Sequence, residues 1–216
     1  MADTQVKIRK YAPEDKQAVR DIAVSTAFMG RDAGIFFADQ DILADALTLY
    51  FTDYEPESCF VAESMGSVVG YIIGARDEKT LNAVFSRKIV KYLMLKAIKS
   101  RVFVKKKNIF FLSRCLFSFL RAEFIQPDFS SDYPAILHIN LKDNFRAQGL
   151  GMRLIAAYLD YLRENKVKGV HLATMSDEAG NFFQKQGFNL LFTAKRSYFR
   201  HILYKDINVY IYGKRL

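Results

Sequence analysis

Two spacings of hydrophobic residues alternate along the chain. Apolar residues that alternate with polar ones, or form short β-branched runs, predict strands, and apolar residues at three-and-four spacing predict helices. The predicted strands are residues 5–11, 59–64, 68–74, 135–141, 169–174, 188–192 and 209–212. The predicted helices are the segment after Pro13 and residues 39–51, 149–164 and 177–186. This order predicts an α/β fold with a mixed sheet.

One long segment, residues 79–126, interrupts this alternation. Its apolar residues recur at helical spacing on both sides of a three-lysine run, so we expect two or more amphipathic helices separated by residues 105–107. An aromatic stripe is expected to pack on the sheet or on a second subunit while the lysines face water, which leaves a homodimer open. The stripe consists of Phe110, Phe111, Leu116 and Phe119.

The length and composition are those of one globular domain. The chain has 216 residues, of which 50% are hydrophobic and 25% charged, so we expect a single folded domain over residues 1–216 rather than a disordered chain. The N-terminus does not have the pattern of a secretion signal, and no uncharged apolar run approaches the roughly 18 residues that span a membrane. We therefore expect a cytoplasmic protein.

The two cysteines predict neither a disulfide nor a metal site. Cys59 and Cys115 are far apart in the sequence and belong to no Cys/His ligand motif. Both are expected to be small apolar packing residues, since no paired base is in view to make either a nucleophile. No metal is expected.

Positive charge is concentrated in the interrupting segment. Residues 79–126 contain twelve Lys and Arg side chains against Glu123 alone, a net charge of +11, whereas the whole chain carries +9. The other residues therefore sum to −2. A near-neutral body with a basic element is typical of proteins that meet something acidic, although a solvated helix face gives the same pattern.

The segment most informative about chemistry, residues 139–151, runs from a predicted strand through a glycine-bearing turn into a helix. A helix N-terminus offers unpaired N–H groups and the positive end of the helix dipole, so it can hold a diphosphate. Gly149 and Gly151 lack the Cβ atoms that would keep a ligand away, and Arg146 adds a positive charge. Taken alone, this pattern also fits a simple turn before a helix.

Four motifs in order resemble the GNAT N-acetyltransferase superfamily. The hexapeptide from Arg146 to Gly151 matches the signature Arg/Gln-x-x-Gly-x-Gly/Ala between strand and helix. The strand at Ile8-Arg9 with Asp15 after it resembles the family's opening. Residues 61–63 with 69–72, and residues 179–188 ending in Gly-Phe, resemble its second and third strands and a helix beside the cofactor.

The resemblance covers nearly all of the chain except residues 79–126. It implies a GNAT-like mixed, mostly antiparallel sheet of six to seven strands flanked by helices. Residues 79–126 would then be a helical insertion between strands three and four.

The resemblance also implies an activity, the transfer of an acetyl group from acetyl-CoA as co-substrate to an amine by direct attack in a ternary complex. In the family pattern the pantetheine arm lies between the fourth and fifth strands. Backbone amides near Asn140 and Leu141 would stabilise the oxyanion of the acyl group. The implied cofactor-binding residues are Ile139, Leu141, Arg146, Ala147, Gln148, Gly149, Leu150, Gly151, Ser176 and Phe183.

Two residues depart from the family pattern. The tyrosine that acts as general acid for the departing thiolate is Phe183 here, and the frequent asparagine seven residues earlier is Ser176. Phe183 cannot donate a proton. Either Tyr198 fills that role, or the thiolate leaves as its anion, since a thiol of pKa about 8.5 is a tolerable leaving group. A non-catalytic CoA-binding or interaction module is an alternative.

His138 is the first candidate for the base that takes a proton from the incoming amine. On strand four the side chains of residues 136, 138 and 140 share a face, which in the family looks toward the acceptor. The alternative for His138 is a buried histidine with a satisfied hydrogen bond. Glu63 and Asp128 are weaker candidates, expected to belong to a hairpin and to a turn.

The basic insertion leaves the acceptor and the partners open. It joins the end of strand four remote from the glycine turn, where it could wall the acceptor pocket and suit an acidic or phosphorylated small-molecule or peptide amine. A further alternative is an adaptor that binds anionic surfaces through residues 79–126, including peripheral contact with lipid headgroups. The sequence gives no firm sign of nucleic-acid binding.

Overall fold

The computed structural model describes residues 6–216. The strands are β1 (Lys7–Lys10), β2 (Phe60–Ser64), β3 (Ser67–Ala75), β4 (Ala135–Leu141), β5 (Gly169–Thr174), β6 (Asn189–Arg196) and β7 (Ile207–Arg215). The α-helices are α1 (Lys16–Thr26), α2 (Gln40–Asp53), α3 (Glu78–Val84), α4 (Val90–Lys99), α5 (Lys106–Leu120), α6 (Leu150–Glu164), α7 (Asp177–Lys185) and α8 (Arg200–Leu203).

The seven strands form one mixed sheet in the order β1-β2-β3-β4-β5-β7-β6. Neighbouring strands are antiparallel except β4 and β5, which are parallel. The β2–β3 hairpin closes through Met65 and Gly66, both with positive φ, as a two-residue turn that follows the twist of the sheet requires. The predicted fold class is confirmed, with seven strands and a helical insertion between β3 and β4.

Helices cover the two faces of the sheet, and β4 contributes to both cores. Leu137 packs in the core with α6 and α7, and its neighbour Ile136 packs in the core with α1 and α2. Because successive side chains of a strand point to opposite faces, these cores lie on opposite sides of the sheet. His138 and Asn140 therefore share the α1/α2 side with Ile136, and the predicted common face of residues 136, 138 and 140 lies there.

Most predicted elements have nearly the predicted bounds, and the last two strands are longer than predicted. Residue 5, the predicted start of the first strand, lies outside the described residues. β6 continues to Arg196 and β7 runs from Ile207 to Arg215. Polar residues such as Thr193 and Lys195 obscure the strand pattern of β6, although β7 pairs with this whole region. The short helix α8 was not predicted.

The insertion contains α3, α4 and α5, with one turn of π-helix at Phe85–Ile89 between α3 and α4. The expectation that the three-lysine run separates the helices is wrong in detail, because Lys106 and Lys107 form the first turn of α5. The expected packing of the aromatic stripe on the sheet is also wrong. Phe111 is half-buried, but Phe110, Leu116 and Phe119 are exposed.

A buried ion network ties the insertion to the body of the fold. Arg20 on α1 pairs with Asp45 on α2, and both side chains are almost fully buried. Lys96 on α4 binds the same carboxylate, and the Tyr92 hydroxyl donates to it at 3.1 Å. Burial acts to raise the pKa of Asp45, but the hydrogen bonds from Lys96 and Arg20 outweigh it and the pKa is lowered. Asp45 is therefore charged at neutral pH and connects three helices.

Removing the Asp45 carboxylate is expected to destabilise the fold strongly. Asp45→Ala leaves buried charge on Arg20 poorly compensated, and losing one member of a buried ion pair costs about 3–5 kcal/mol. Asp53→Ala is the matched control on the same helix, because its pair with Lys16 is exposed and worth about 1 kcal/mol or less. The free energy of unfolding in urea checks both variants. Equal losses for the two would show that the network has no special role.

Candidate active site

A gap opens in the sheet between β4 and β5. The two strands pair at only two positions, Ala135 with Val170 and Ile136 with His171. Beyond them β4 continues to Leu141 and β5 to Thr174 without further pairing between the two strands. Each strand still pairs with its other neighbour. Backbone hydrogen-bonding groups therefore face each other across the gap without the partners that a continuous sheet would give them.

Pairing with β3 determines which backbone groups of β4 face the gap. The N–H of Lys142 donates to the carbonyl of Val69 at 2.9 Å, in the register that places Leu141 opposite Gly70. Hydrogen-bonded and non-hydrogen-bonded pairs alternate along an antiparallel ladder. The N–H and C=O groups of Ile139 and Leu141 therefore point away from β3 and into the gap.

Asn140 is oriented differently from these two neighbours. By the same alternation its backbone N–H points toward β3, where Tyr71 lies opposite. Its side-chain Nδ2 donates to the Tyr71 hydroxyl at 2.8 Å, and Tyr71 is fully buried. Of the two amides expected at the acyl carbonyl, Leu141 faces the gap, and Asn140 is instead held by the core.

The turn between β4 and α6 is exposed and shaped by left-handed backbone. Ala147 and Gly149 have φ values of 58° and 75°, and a Cβ added to Gly149 would meet no atom within 4 Å. The first hydrogen bond of α6 runs from the Arg153 N–H to the Gly149 carbonyl. Within residues 6–216, the amides of residues 147–149 have no backbone acceptor. The turn therefore offers open, donor-rich backbone, which fits a diphosphate.

The Arg146 side chain connects this turn to the loop between α1 and α2. Its Nε donates to the Leu141 carbonyl at 3.2 Å, and its Nη2 donates to the Gly30 carbonyl at 3.3 Å. Asp143 pairs with the same guanidinium at 2.9 Å. The positive charge of Arg146, which the sequence analysis expected beside the diphosphate, is thus partly neutralised by Asp143. The Arg146 side chain also holds the turn in place.

The two α7 positions expected to bind the cofactor have structural partners. Ser176 is the N-cap of α7, where its Oγ accepts from the Ala179 N–H at 3.3 Å. Phe183 is buried in the core beside Phe188. Sequence reasoning missed Phe182, whose ring lies 3.1 Å from the position of a Cβ on Gly151. The Phe182 side chain thus reaches from α7 to the first turn of α6. The Phe-Phe pair is the sequence feature from which this contact could have been predicted.

His138 lies on β4 where the gap opens, and solvent reaches its side chain. Its ring contacts Phe51 edge-on, with 5.5 Å between centroids, and among residues 6–216 it makes no hydrogen bond. Desolvation by the surrounding protein, with a smaller contribution from His171, lowers the pKa of His138 to about 4. The side chain is therefore neutral at physiological pH and is not the hydrogen-bonded core histidine of the alternative interpretation.

Tyr198 lies in an aromatic cluster near the end of β5. Its hydroxyl donates to the sulfur of Met175 at 3.4 Å, and its ring stacks on Phe124 from the insertion. Burial raises the pKa of Tyr198 to about 12. The hydroxyl thus keeps its proton at neutral pH but gives it up with difficulty.

The other sequence candidates have partners of their own. Glu63 pairs with Arg9 across the β1–β2 ladder at 2.5 Å, and Asp128 accepts from the Ser130 N–H within its own turn. A separate surface groove of about 460 Å³ runs between α1, α2 and α4 along the ion network of Arg20 and Asp45, outside the strand gap. Its Arg20, Asp45 and Lys96 side chains are already paired with one another, and the gap remains the candidate site.

Comparison with family models identifies the family of the chain. The model described as "Acetyltransferase (GNAT) family" matches residues 17–188, which include the gap, the turn and α7. The chain belongs to the GNAT acetyltransferase family. Acetyl-CoA is the acyl donor of this family, and the gap and turn of this GNAT chain offer the backbone donors that such a ligand requires.

Solved structures with similar folds match almost the whole chain. The crystal structure of SsHAT is 28% identical, with a TM-score of 0.72 and 98% of each chain covered. A polyamine N-acetyltransferase from Drosophila melanogaster is 14% identical, with a TM-score of 0.60 and 98% and 100% covered. The putative acetyltransferase yncA from Salmonella typhimurium, solved with its cofactor acetyl-CoA, is 13% identical, with a TM-score of 0.56 and 98% and 94% covered. A search of curated proteins gave no match.

Among residues 6–216, no helix has both the length and the apolar character needed to cross a bilayer. The same residues contain no cluster of three or more His, Cys, Asp or Glu side chains arranged to hold a metal ion.

Substituting Gly149 is expected to weaken binding of CoA. Gly149→Ala places a methyl group in the open turn and costs about 1–2 kcal/mol in left-handed backbone. We expect CoA affinity to fall about tenfold or more, equivalent to about 1.4 kcal/mol. Ala147→Gly is the matched control, because it leaves the amides in place and relieves a positive φ. Calorimetric titration with CoA measures both, and unchanged affinity in Gly149→Ala would show that the turn is not the diphosphate site.

Proposed function

We propose that this GNAT protein is an acetyl-CoA-dependent N-acetyltransferase in which an acceptor amine attacks the acyl group directly in a ternary complex. One observation carries this function, the convergence of an unpaired β4 edge, an open amide turn and an accessible neutral histidine at one gap. The N-acetyltransferases among the similar structures support an amine acceptor. Acetyl-CoA supplies an activated carbonyl carbon and a thiolate that departs.

Backbone groups of this chain do the binding. Amides of residues 147–151 hold the diphosphate at the N-terminus of α6, while Ile139 and Leu141 present the donors and acceptors with which an extended pantetheine arm would pair. The Leu141 N–H is the donor best placed for the oxyanion that develops at the acyl carbonyl. A donor in such a position contributes about 3–4 kcal/mol to transition-state stabilisation.

The lowered pKa of His138 limits when it can accept a proton. An alkylammonium of pKa about 10.4 does not transfer its proton to an imidazole whose pKa is far lower, so the acceptor enters as the neutral amine. Once its nitrogen begins to bond to the acyl carbon, the remaining N–H becomes much more acidic. His138 takes that proton and, being solvent-accessible, passes it to water.

The thiolate departs without a general acid. Phe183 has no proton to give, and the raised pKa of Tyr198 makes transfer from its hydroxyl to a thiolate unfavourable. A thiol pKa of about 8.5 allows departure as the anion. Tyr198 then shapes the acceptor side through its contacts with Met175 and Phe124.

A thiol-release assay with acetyl-CoA and a panel of amines tests the function. The panel holds polyamines, amino-acid amines, peptides with free N-termini, and acidic or phosphorylated amines. We expect release of CoA that depends on at least one amine, with the acetylated product identified by mass spectrometry. Tight CoA binding without turnover across the panel would instead support a non-catalytic CoA-binding module.

Two substitutions test the proton transfers with the best amine of that panel. His138→Ala is expected to lower kcat/KM about 100-fold. This is the lower end of general-base effects, because a base of low pKa accelerates proton transfer only modestly. In the wild type, activity that depends on neutral His138 is lost as pH falls through about 4, so no limb appears near pH 6.5. Tyr198→Phe is expected to keep most of the rate.

The pH–rate profiles and the rates of the two variants test the roles of His138 as base and of Tyr198 as acid. A limb near pH 6.5 that disappears in His138→Ala would contradict the lowered pKa, and an unchanged rate in that variant would remove His138 from the mechanism. A large loss of kcat in Tyr198→Phe, with KM unchanged, would make Tyr198 the acid.

A further inference from the structure

The long insertion helix α5 buries two polar residues against the protein and exposes several of its large apolar residues to solvent. Asn108 and Ser118 are fully buried, whereas Phe117 and Phe119 are at least 60% exposed. A helix of a globular protein ordinarily buries its apolar stripe and exposes its polar one. In α5 the inward face is mixed, because Phe111 packs against Phe36 and Phe199 on the same face as the two buried polar residues. The apolar side chains at the C-terminal end of the helix, from Leu116 to Leu120, are instead largely exposed.

Polar contacts fix α5 in this orientation. The Asn108 side chain accepts from the Ala38 N–H at 2.7 Å and donates to the Val102 carbonyl at 3.2 Å and to Asp39. At the other end of the helix, the Ser118 hydroxyl donates to Glu123 at 2.6 Å, and Glu123 accepts from the Ser197 N–H of the body at 2.7 Å. Rotating the helix to bury Phe117 and Phe119 would break these contacts with the body, and each unsatisfied buried group costs about 1–3 kcal/mol.

Helix α4 also carries exposed apolar side chains. Leu95 and Ile98 on α4 are more than half exposed, as are Leu116, Phe119 and Leu120 on α5. Of the 23 large hydrophobic residues that are exposed in the described chain, 16 lie within residues 79–126, under a quarter of the sequence. Such concentration marks an interaction surface rather than the scattered exposure of an ordinary protein.

Cations accompany this apolar surface. Lys91, Lys99, Arg101, Lys106 and Arg114 are exposed, and within residues 6–216 none of them forms an ion pair. By contrast, Lys96 and Lys105 of the insertion are paired with carboxylates of the body. The outward charge of the insertion is thus strongly positive, and it lies on the same two helices as the exposed apolar side chains.

We propose that α4 and α5 form a docking surface for an anionic lipid bilayer, in which the helices lie in the plane of the interface. Apolar side chains of such helices enter the boundary of the acyl chains, while lysine and arginine bind acidic headgroups. A second copy of this chain fits less well, because it would bring the same positive charge to the contact. Nucleic acid fits less well, because exposed leucine and isoleucine contribute little to phosphate or base contacts.

Vesicle flotation of the full chain tests the surface. We expect binding to vesicles of equimolar phosphatidylglycerol and phosphatidylcholine, weak binding to phosphatidylcholine alone, and loss of binding at high salt. The double variant Phe119→Ser with Leu120→Ser is expected to reduce binding at least about tenfold, since each buried CH₂ contributes about 0.8 kcal/mol. Replacing Lys91, Lys99 and Arg101 with Gln is expected to reduce binding to the anionic vesicles alone.

Matched controls lie outside the insertion. Met65→Ser removes an apolar side chain that is 80% exposed in the β2–β3 turn, and replacing Lys7, Lys168 and Lys205 with Gln removes the same number of exposed charges. Both controls are expected to bind vesicles as the wild type does. Unchanged thermal midpoints and amine-dependent thiol release in all variants would separate docking from folding and from catalysis.

Several outcomes would overturn the proposal. Absence of binding to either vesicle would do so, as would equal loss in the variants and their controls. Concentration-dependent dimerisation in light scattering, abolished by Phe119→Ser with Leu120→Ser, would assign the face to a second copy. Salt-sensitive binding to RNA but not to vesicles would assign it to nucleic acid.

Discussion

The separation of β4 from β5 is the constraint on which the rest of the site depends. Backbone groups in the middle of a sheet are normally paired, and leaving them unpaired within a protein is unfavourable. Here the two strands pair at two positions and then diverge, which leaves the edge of β4 from Leu137 to Leu141 facing open space. A ligand with an extended amide-containing arm can satisfy these groups. The fold therefore leaves an open gap between β4 and β5, and the turn before α6 lies at the end of that gap.

Other contacts hold the backbone around that gap in place. The pairing of β4 with β3 selects the amides of Ile139 and Leu141 for the gap, and the Tyr71 hydroxyl anchors Asn140 on the opposite side. Arg146 ties the turn to the α1–α2 loop. These contacts come from strand pairing and from side chains beside the gap. They orient backbone donors in advance, which is how electrostatic stabilisation in an active site becomes effective.

Much of the fold and the binding turn could be predicted from the sequence because both depend on local patterns. β4 and β5 are short β-branched runs, and Gly149 marks the left-handed turn that starts α6. What could not be predicted depends on tertiary surroundings. The pKa of His138 reflects desolvation by residues distant in sequence, and Phe183 lies in a core whose members come from strands and helices far apart in the sequence.

The insertion shows more clearly that local sequence patterns do not predict tertiary surroundings. Helical spacing in α5 predicted an amphipathic helix, but periodicity gives no information on which face meets the protein. Asn108 and Ser118 decide that orientation by hydrogen bonds to Ala38 and to Glu123. The near-neutral body contains the gap between β4 and β5, and the basic insertion carries many exposed apolar side chains.

A crystal structure of the chain with bound CoA would test the central claim most directly. The account predicts the diphosphate within hydrogen-bond distance of the amides of residues 147–151 and the pantetheine arm between β4 and β5, paired with Ile139 and Leu141. Its sulfur would lie on the same side of the gap mouth as His138. A CoA molecule bound elsewhere, or β4 and β5 closed into continuous pairing in the complex, would contradict it.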